Sequence, residues 1–123
     1  MLIPCEILIE DSPVIIYASR NGKPDKVLRL LKPFLEKFSE ERKTSGEFTD
    51  TPECLAAQVI VRFGFEICED DFSNLKVGTR HFPEVAYLYH IDQQLTITIW
   101  QPTADYHRDP SLGLTACKPA EYD

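Results

Sequence analysis

The chain of 123 residues reads as one α+β domain, a two-layer sandwich with a mostly antiparallel sheet of about five strands and two helices on one face. Three observations predict it. Glu84–Trp100 alternates apolar and polar side chains on both sides of Asp92-Gln93, the pattern of a β-hairpin. Cys5–Glu10 and Val14–Ser19 are two further β-rich runs joined by Asp11-Ser12-Pro13, residues that favour a turn. Between these strand regions lie two long stretches of helical periodicity, giving the order β-β-α-α-β-β-β.

In the hairpin, Val85, Tyr87, Tyr89 and Ile91 share one face, and Ala86, Leu88 and His90 the other. On its second strand Leu95, Ile97 and Ile99 oppose Thr96, Thr98 and Trp100. The run Val-Ile-Ile-Tyr-Ala from Val14 is β-rich throughout, so that strand belongs in the sheet interior.

Pro24–Lys43 predicts the first helix. Proline suits the first helical position, and Val27, Leu30, Leu31, Phe34 and Phe38 form one apolar stripe. Pro33 removes one backbone hydrogen bond, which predicts a kinked single helix in preference to two short ones. Thr44–Asp50 reads as a loop with Gly46 at positive φ. Thr51-Pro52-Glu53 starts the second helix with a capping hydroxyl, a proline and an acid, and Gly64 is expected to end it. Phe65–Cys68 reads as a short strand or an exit, Glu69–Asp71 as an acidic turn, and Leu75–Thr79 as a strand weakened by Gly78. Residues 1–101 then form the domain, and 102–123 an extended C-terminal tail packing on it or trailing from it.

Composition narrows the function classes. Thirteen basic against 20 acidic side chains give a net charge of −7, which argues against nucleic acid and anionic membranes as partners. The N-terminus lacks a basic region before its short apolar run, and no run approaches the ~20 residues of a membrane span. A cytoplasmic location is the expectation. Cys5, Cys54, Cys68 and Cys117 show no metal-ligand spacing, so neither metal nor cofactor is expected, and the thiols are read as reduced.

No motif fixes a reaction, so a non-enzymatic role is favoured. Cys54, near a helix start, is the best nucleophile by position, yet no recognisable nucleophile motif surrounds it, and it reads as a small apolar residue at the helix–sheet boundary. Glu66, Glu69, Asp70 and Asp71 lack the alternation of a calcium loop and read as a solvated turn. His81 and His107 each lie in a loop beside an arginine.

Two leads are more concrete. Ser19, Arg20, Asn21, Gly22 and Lys23 join a buried strand to a helix start, where backbone amides and basic side chains suit an anion. This makes a small anionic ligand, with Arg80 or His81 nearby, the alternative function. The leading expectation is a small binding or regulatory module that acts through protein contact, as a homodimer or with another protein. Tyr87, Tyr89 and Trp100 on the hairpin are its candidate interface, unless the tail covers that face.

Overall fold

The computed structural model describes residues 3–46, 51–68 and 74–120. Six strands form one sheet in the order β3-β2-β1-β4-β5-β6. They are β1 (Cys5–Ile9), β2 (Ile15–Ala18), β3 (Leu75–Gly78), β4 (Tyr87–Ile91), β5 (Ile97–Pro102) and β6 (Cys117–Pro119). The α+β class agrees with the sequence reading, but the sheet is mixed. β1 pairs antiparallel with β2 on one side and parallel with β4 on the other. The other pairings, β2 with β3, β4 with β5 and β5 with β6, are antiparallel, so the sheet is mostly antiparallel as expected. The one parallel pairing has no sequence signal, because strand direction is set by the long connections and leaves no mark on a strand's own alternation.

That connection positions the site. β3 pairs antiparallel with β2, and therefore runs in the same direction as β1 and β4. To reach β4 from the β3 edge, residues 79–86 must cross the sheet. They do so on the face away from the helices, with Phe82 stacked on Tyr17 of β2 at 4.5 Å between ring centroids.

α1 (Pro24–Ser45) is one helix with Pro33 inside it, on the exposed side. It ends at Gly46, which takes φ 72° and returns its amide to the Arg42 carbonyl at 2.9 Å. α2 (Thr51–Cys68) runs through Gly64 instead of stopping there. A Cβ on Gly64 would stand 2.6 Å from Leu75 Cδ2, so this glycine lets the helix approach β3 and is not a terminator. The same finding replaces the strand or exit expected at Phe65–Cys68 by helix. The acidic turn expected at Glu69–Asp71 lies outside the described residues.

Both helices pack on one face. Ile7, Ile9, Ile16, Tyr89 and Ile91 from the sheet meet Val27, Leu31, Phe38, Leu55, Val59 and Phe63 from the helices, all buried. The tyrosines of β4 therefore point toward the helices, and Leu88 and His90 point away.

The hairpin turn is longer than Asp92-Gln93. β4 ends at Ile91 and β5 begins at Ile97. The Asp92 carboxylate accepts both the Gln94 and Thr96 amides at 2.9 Å, and Leu95 turns through φ 63°. An acid that binds amides two and four residues on wins here over the β propensity of Leu95 and Thr96.

Residues 102–120 are not simply extended. They form α3 (Ala104–Arg108), a 3₁₀ segment (Pro110–Ala116) and β6, which pairs with β5. Together with residues 79–86 they make a thin third layer over the sheet. Its core is Val85, Leu88, Tyr106 and Ala116, with Leu8, Tyr17, Phe82, Trp100 and Leu114 packed around it.

Candidate functional site

Glu6 is the most unusual residue in the molecule. It lies mid-strand in β1, next to the centre of the sheet, with no solvent exposure. Alternation puts it on the face away from the helices, beneath the crossing segment 79–86. A buried carboxylate is costly unless its oxygens are satisfied, and here three groups from two elements contact them. Phe82 donates its amide to Oε1 at 2.5 Å, His81 Nδ1 lies 2.9 Å from Oε2, and the Tyr106 hydroxyl lies 3.1 Å from Oε1. The same hydroxyl donates to the Phe82 carbonyl at 2.6 Å. Glu6 thus ties β1, the crossing segment and α3 together.

The cluster shifts its neighbours. Burial first, and then the negative charge of Glu6, push the Tyr106 hydroxyl far above the ordinary phenol value. The same two causes raise the Cys117 thiol to about 11. Cys5, on the opposite face of β1, is pushed up to about 12, mainly by burial. Cys5, Cys54 and Cys117 are free thiols.

His81 continues outward from Glu6. Its side chain is 21% exposed and lines an open groove of about 440 Å³ between the β1–β2 turn and the 3₁₀ segment. His90 lines the same groove. Gly113, at φ 61°, forms the adjoining wall, and a Cβ there would stand 2.8 Å from His81 Nε2. A larger cavity, about 690 Å³, opens where the ends of β1 and β4 meet the start of α2.

The structure disperses the residues expected to form sites. In the Ser19–Lys23 loop, Ser19 donates its amide to the Asn74 carbonyl and its hydroxyl to the Asn74 side chain, at 2.8 and 2.6 Å. The Gly22 amide goes to the Ile3 carbonyl at 2.9 Å, and the Gly22 carbonyl accepts from the Tyr89 hydroxyl at 2.5 Å. Asn21 accepts from Lys26 Nζ at 3.0 Å. These donors, expected to face an anion, hold the loop to the sheet. Arg20 is half-buried, while Lys23 is exposed and precedes Pro24 without capping the helix through its side chain. His81 faces Glu6, away from this loop.

The hairpin aromatics also part company. Tyr89 is fully buried in the core, Tyr87 is half-buried beside it, and Trp100 lies on the other face under the C-terminal layer. The Trp100 indole nitrogen is enclosed and has no hydrogen-bond partner. His107 is exposed on α3, with Nδ1 3.2 Å from the Pro83 carbonyl. Among the described residues, no three His, Cys, Asp or Glu side chains are grouped to hold a metal, and no helix is long and apolar enough to cross a membrane.

Sequence reasoning missed Glu6. Its one local signal is a lone glutamate among the apolar residues of Cys5–Ile9, flanked on its own face by Leu8. Its partners are 75, 76 and 100 residues away, which no local pattern could supply. Compared with protein-family models, with curated proteins and with solved structures, the chain matches none.

Proposed function

We propose that this protein is a small binding module that acts through protein contact, with a second copy of itself as the first partner to test. One observation carries the reading. On the helix side of the sheet, α2 packs across β1, β2 and β3, whereas Tyr87, Leu95, Ile97 and Ile99 toward the β5 side stay only partly buried. Of these, Leu95 and Ile97 line, with Leu35, a groove of about 580 Å³ between α1 and β5. Lys32, Glu36, Glu40 and Lys43 of α1 rim that groove with both signs of charge. An apolar floor with a mixed polar rim is the composition of a protein interface, and contiguous apolar surface beside charged residues marks contact sites.

The reading favours β5 and the flank of α1 over the three aromatics taken together, since Tyr87 alone of them belongs to this strip. It is preferred to an anion site at Ser19–Lys23, where the Ser19 and Gly22 amides and the Ser19 hydroxyl are engaged within the chain. Sedimentation equilibrium across a wide concentration range tests it. The parent should dimerise. Ile97→Asp should be monomeric, and the exposed rim change Glu36→Arg should weaken association with an unchanged circular dichroism spectrum. A parent that stays monomeric at the highest concentration counts against self-association and moves the test to heterologous partners.

A further inference from the structure

The groove beside His81 lies on the face opposite that strip and is independent of it. Its chemistry follows from Glu6. An ionised carboxylate only accepts hydrogen bonds. Oε1 already takes the Phe82 amide, and Oε2 faces His81 Nδ1 at 2.9 Å. In neutral His81 beside the ionised carboxylate this places the proton on Nδ1 and leaves a lone pair on Nε2. Nε2 has no protein partner among the described residues and is not enclosed, since the enclosed unpartnered polar atoms are elsewhere. Gly113 keeps it clear, because a side chain there would begin 2.8 Å from Nε2. Leu8, Val14, Ile15, Leu112 and Leu114 supply apolar wall around it, with Ser12, His90 and Ser111 as the other polar residues of the lining.

We propose that this groove is a ligand site in which His81 Nε2 accepts a hydrogen bond from the hydroxyl of a small, otherwise apolar molecule of the phenol or alcohol class. The apolar walls take the body of the ligand, and the oriented imidazole selects the one polar group it carries. Few, well-placed polar groups in an apolar setting are how small-molecule sites gain specificity. Glu6 acts as a positioning residue that fixes the tautomer and does not touch the ligand.

The test uses the intact protein with ¹⁵N-labelled histidine at about pH 8, above the ordinary histidine range. Two probes are compared, 4-fluorophenol and 4-fluoroanisole, which differ in having or lacking the O–H. The proposal expects free His81 to carry its proton on Nδ1. It expects 4-fluorophenol to move the Nε2 resonance to lower shift and to bind roughly five- to tenfold more tightly than 4-fluoroanisole, the difference one net hydrogen bond supplies. Three results would each overturn it: a proton on Nε2 in the free protein, equal binding of the two probes, or no change at His81 with millimolar phenol. None of these readings needs a variant, so a folding defect cannot obscure them.

Discussion

The Tyr106 hydroxyl, on the last α-helix, reaches the Glu6 carboxylate on the first strand at 3.1 Å while donating to the Phe82 carbonyl at 2.6 Å. Both side chains are fully buried. This contact closes the third layer onto the sheet, so the C-terminal residues belong to the folded unit energetically as well as in space.

Tyr106→Phe removes that hydroxyl and strands the Phe82 carbonyl. It should cost about 1–3 kcal/mol, the range for a buried hydrogen bond lost with one partner left behind. Glu6→Ala should cost more, because it leaves the Phe82 amide and His81 without their shared acceptor. Urea unfolding of both variants checks the order. A Glu6→Ala protein as stable as the parent would remove the cluster from any structural role.

Two glycines should respond to alanine for different reasons. At Gly22 a Cβ would meet the Ile3 carbonyl oxygen at 2.5 Å and Cys5 Cβ at 2.8 Å, neither of which can swing aside. At Gly46 nothing lies within 4 Å, and only its φ of 72° opposes a side chain. Gly46→Ala should therefore cost about 1 kcal/mol. Gly22→Ala should cost clearly more and also displace the Tyr89 hydroxyl from the Gly22 carbonyl. Thermal melts of the pair give the comparison, and equal losses would contradict the packing described at Gly22.

Stability should fall on the alkaline side. The folded state holds protons on Cys5 up to about 12 and on Cys117 up to about 11, and it raises Tyr17 and Tyr106 above the ordinary phenol value. In the unfolded chain these groups titrate near their usual values of about 8.5 and about 10. Each group's folded value is raised, so its contribution is complete below the unfolded value and is lost as pH rises toward the folded one. Urea midpoints should hold steady to about pH 8 and then decline through about pH 11. Cys5→Ala and Tyr106→Phe should flatten that decline, and a parent with no decline would contradict these assignments.

Thiol accessibility gives an independent check on the layers. Cys5 is fully buried in β1, Cys117 is half-buried with its thiol toward the Gly113 carbonyl at 3.5 Å, and Cys54 is half-buried in the first turn of α2. Because the thiolate is the reactive form, alkylation followed by peptide mapping should modify Cys54 before Cys117, and Cys5 only on unfolding. Early labelling of Cys5 would mean that β1 opens from the sheet.

The sequence carried the elements further than their arrangement. Alternation in Glu84–Trp100 and Cys5–Ser19, and the stripe in Pro24–Lys43, announce β1, β2, β4, β5 and α1, but place Leu95 and Thr96 in a strand where Asp92 makes a turn. The Pro-and-acid start of α2 was equally plain, but Gly64 carried two meanings, terminator or close approach, and only Leu75 across the gap decides between them. The parallel pairing of β1 with β4 depends on a crossing by residues 79–86 that has no periodic signature. The 3₁₀ segment Pro110–Ala116 is held by Asp109, whose carboxylate accepts the Ser111 amide at 3.2 Å, a local bond in a stretch without apolar rhythm. At the site, His81 was visible as a loop histidine, but the acid that orients it lies on β1 and could be matched to it only through the fold.

The central claim, contact through β5 and the flank of α1, is tested most directly by a dilution series of amide spectra. Shifts that change with concentration should gather at Ile97–Ile99 and at Lys32, Glu36 and Glu40, while Ser19–Lys23 and α3 stay fixed. Concentration-dependent shifts gathered instead at β3 or over the C-terminal layer, or spectra unchanged across the series, would contradict it.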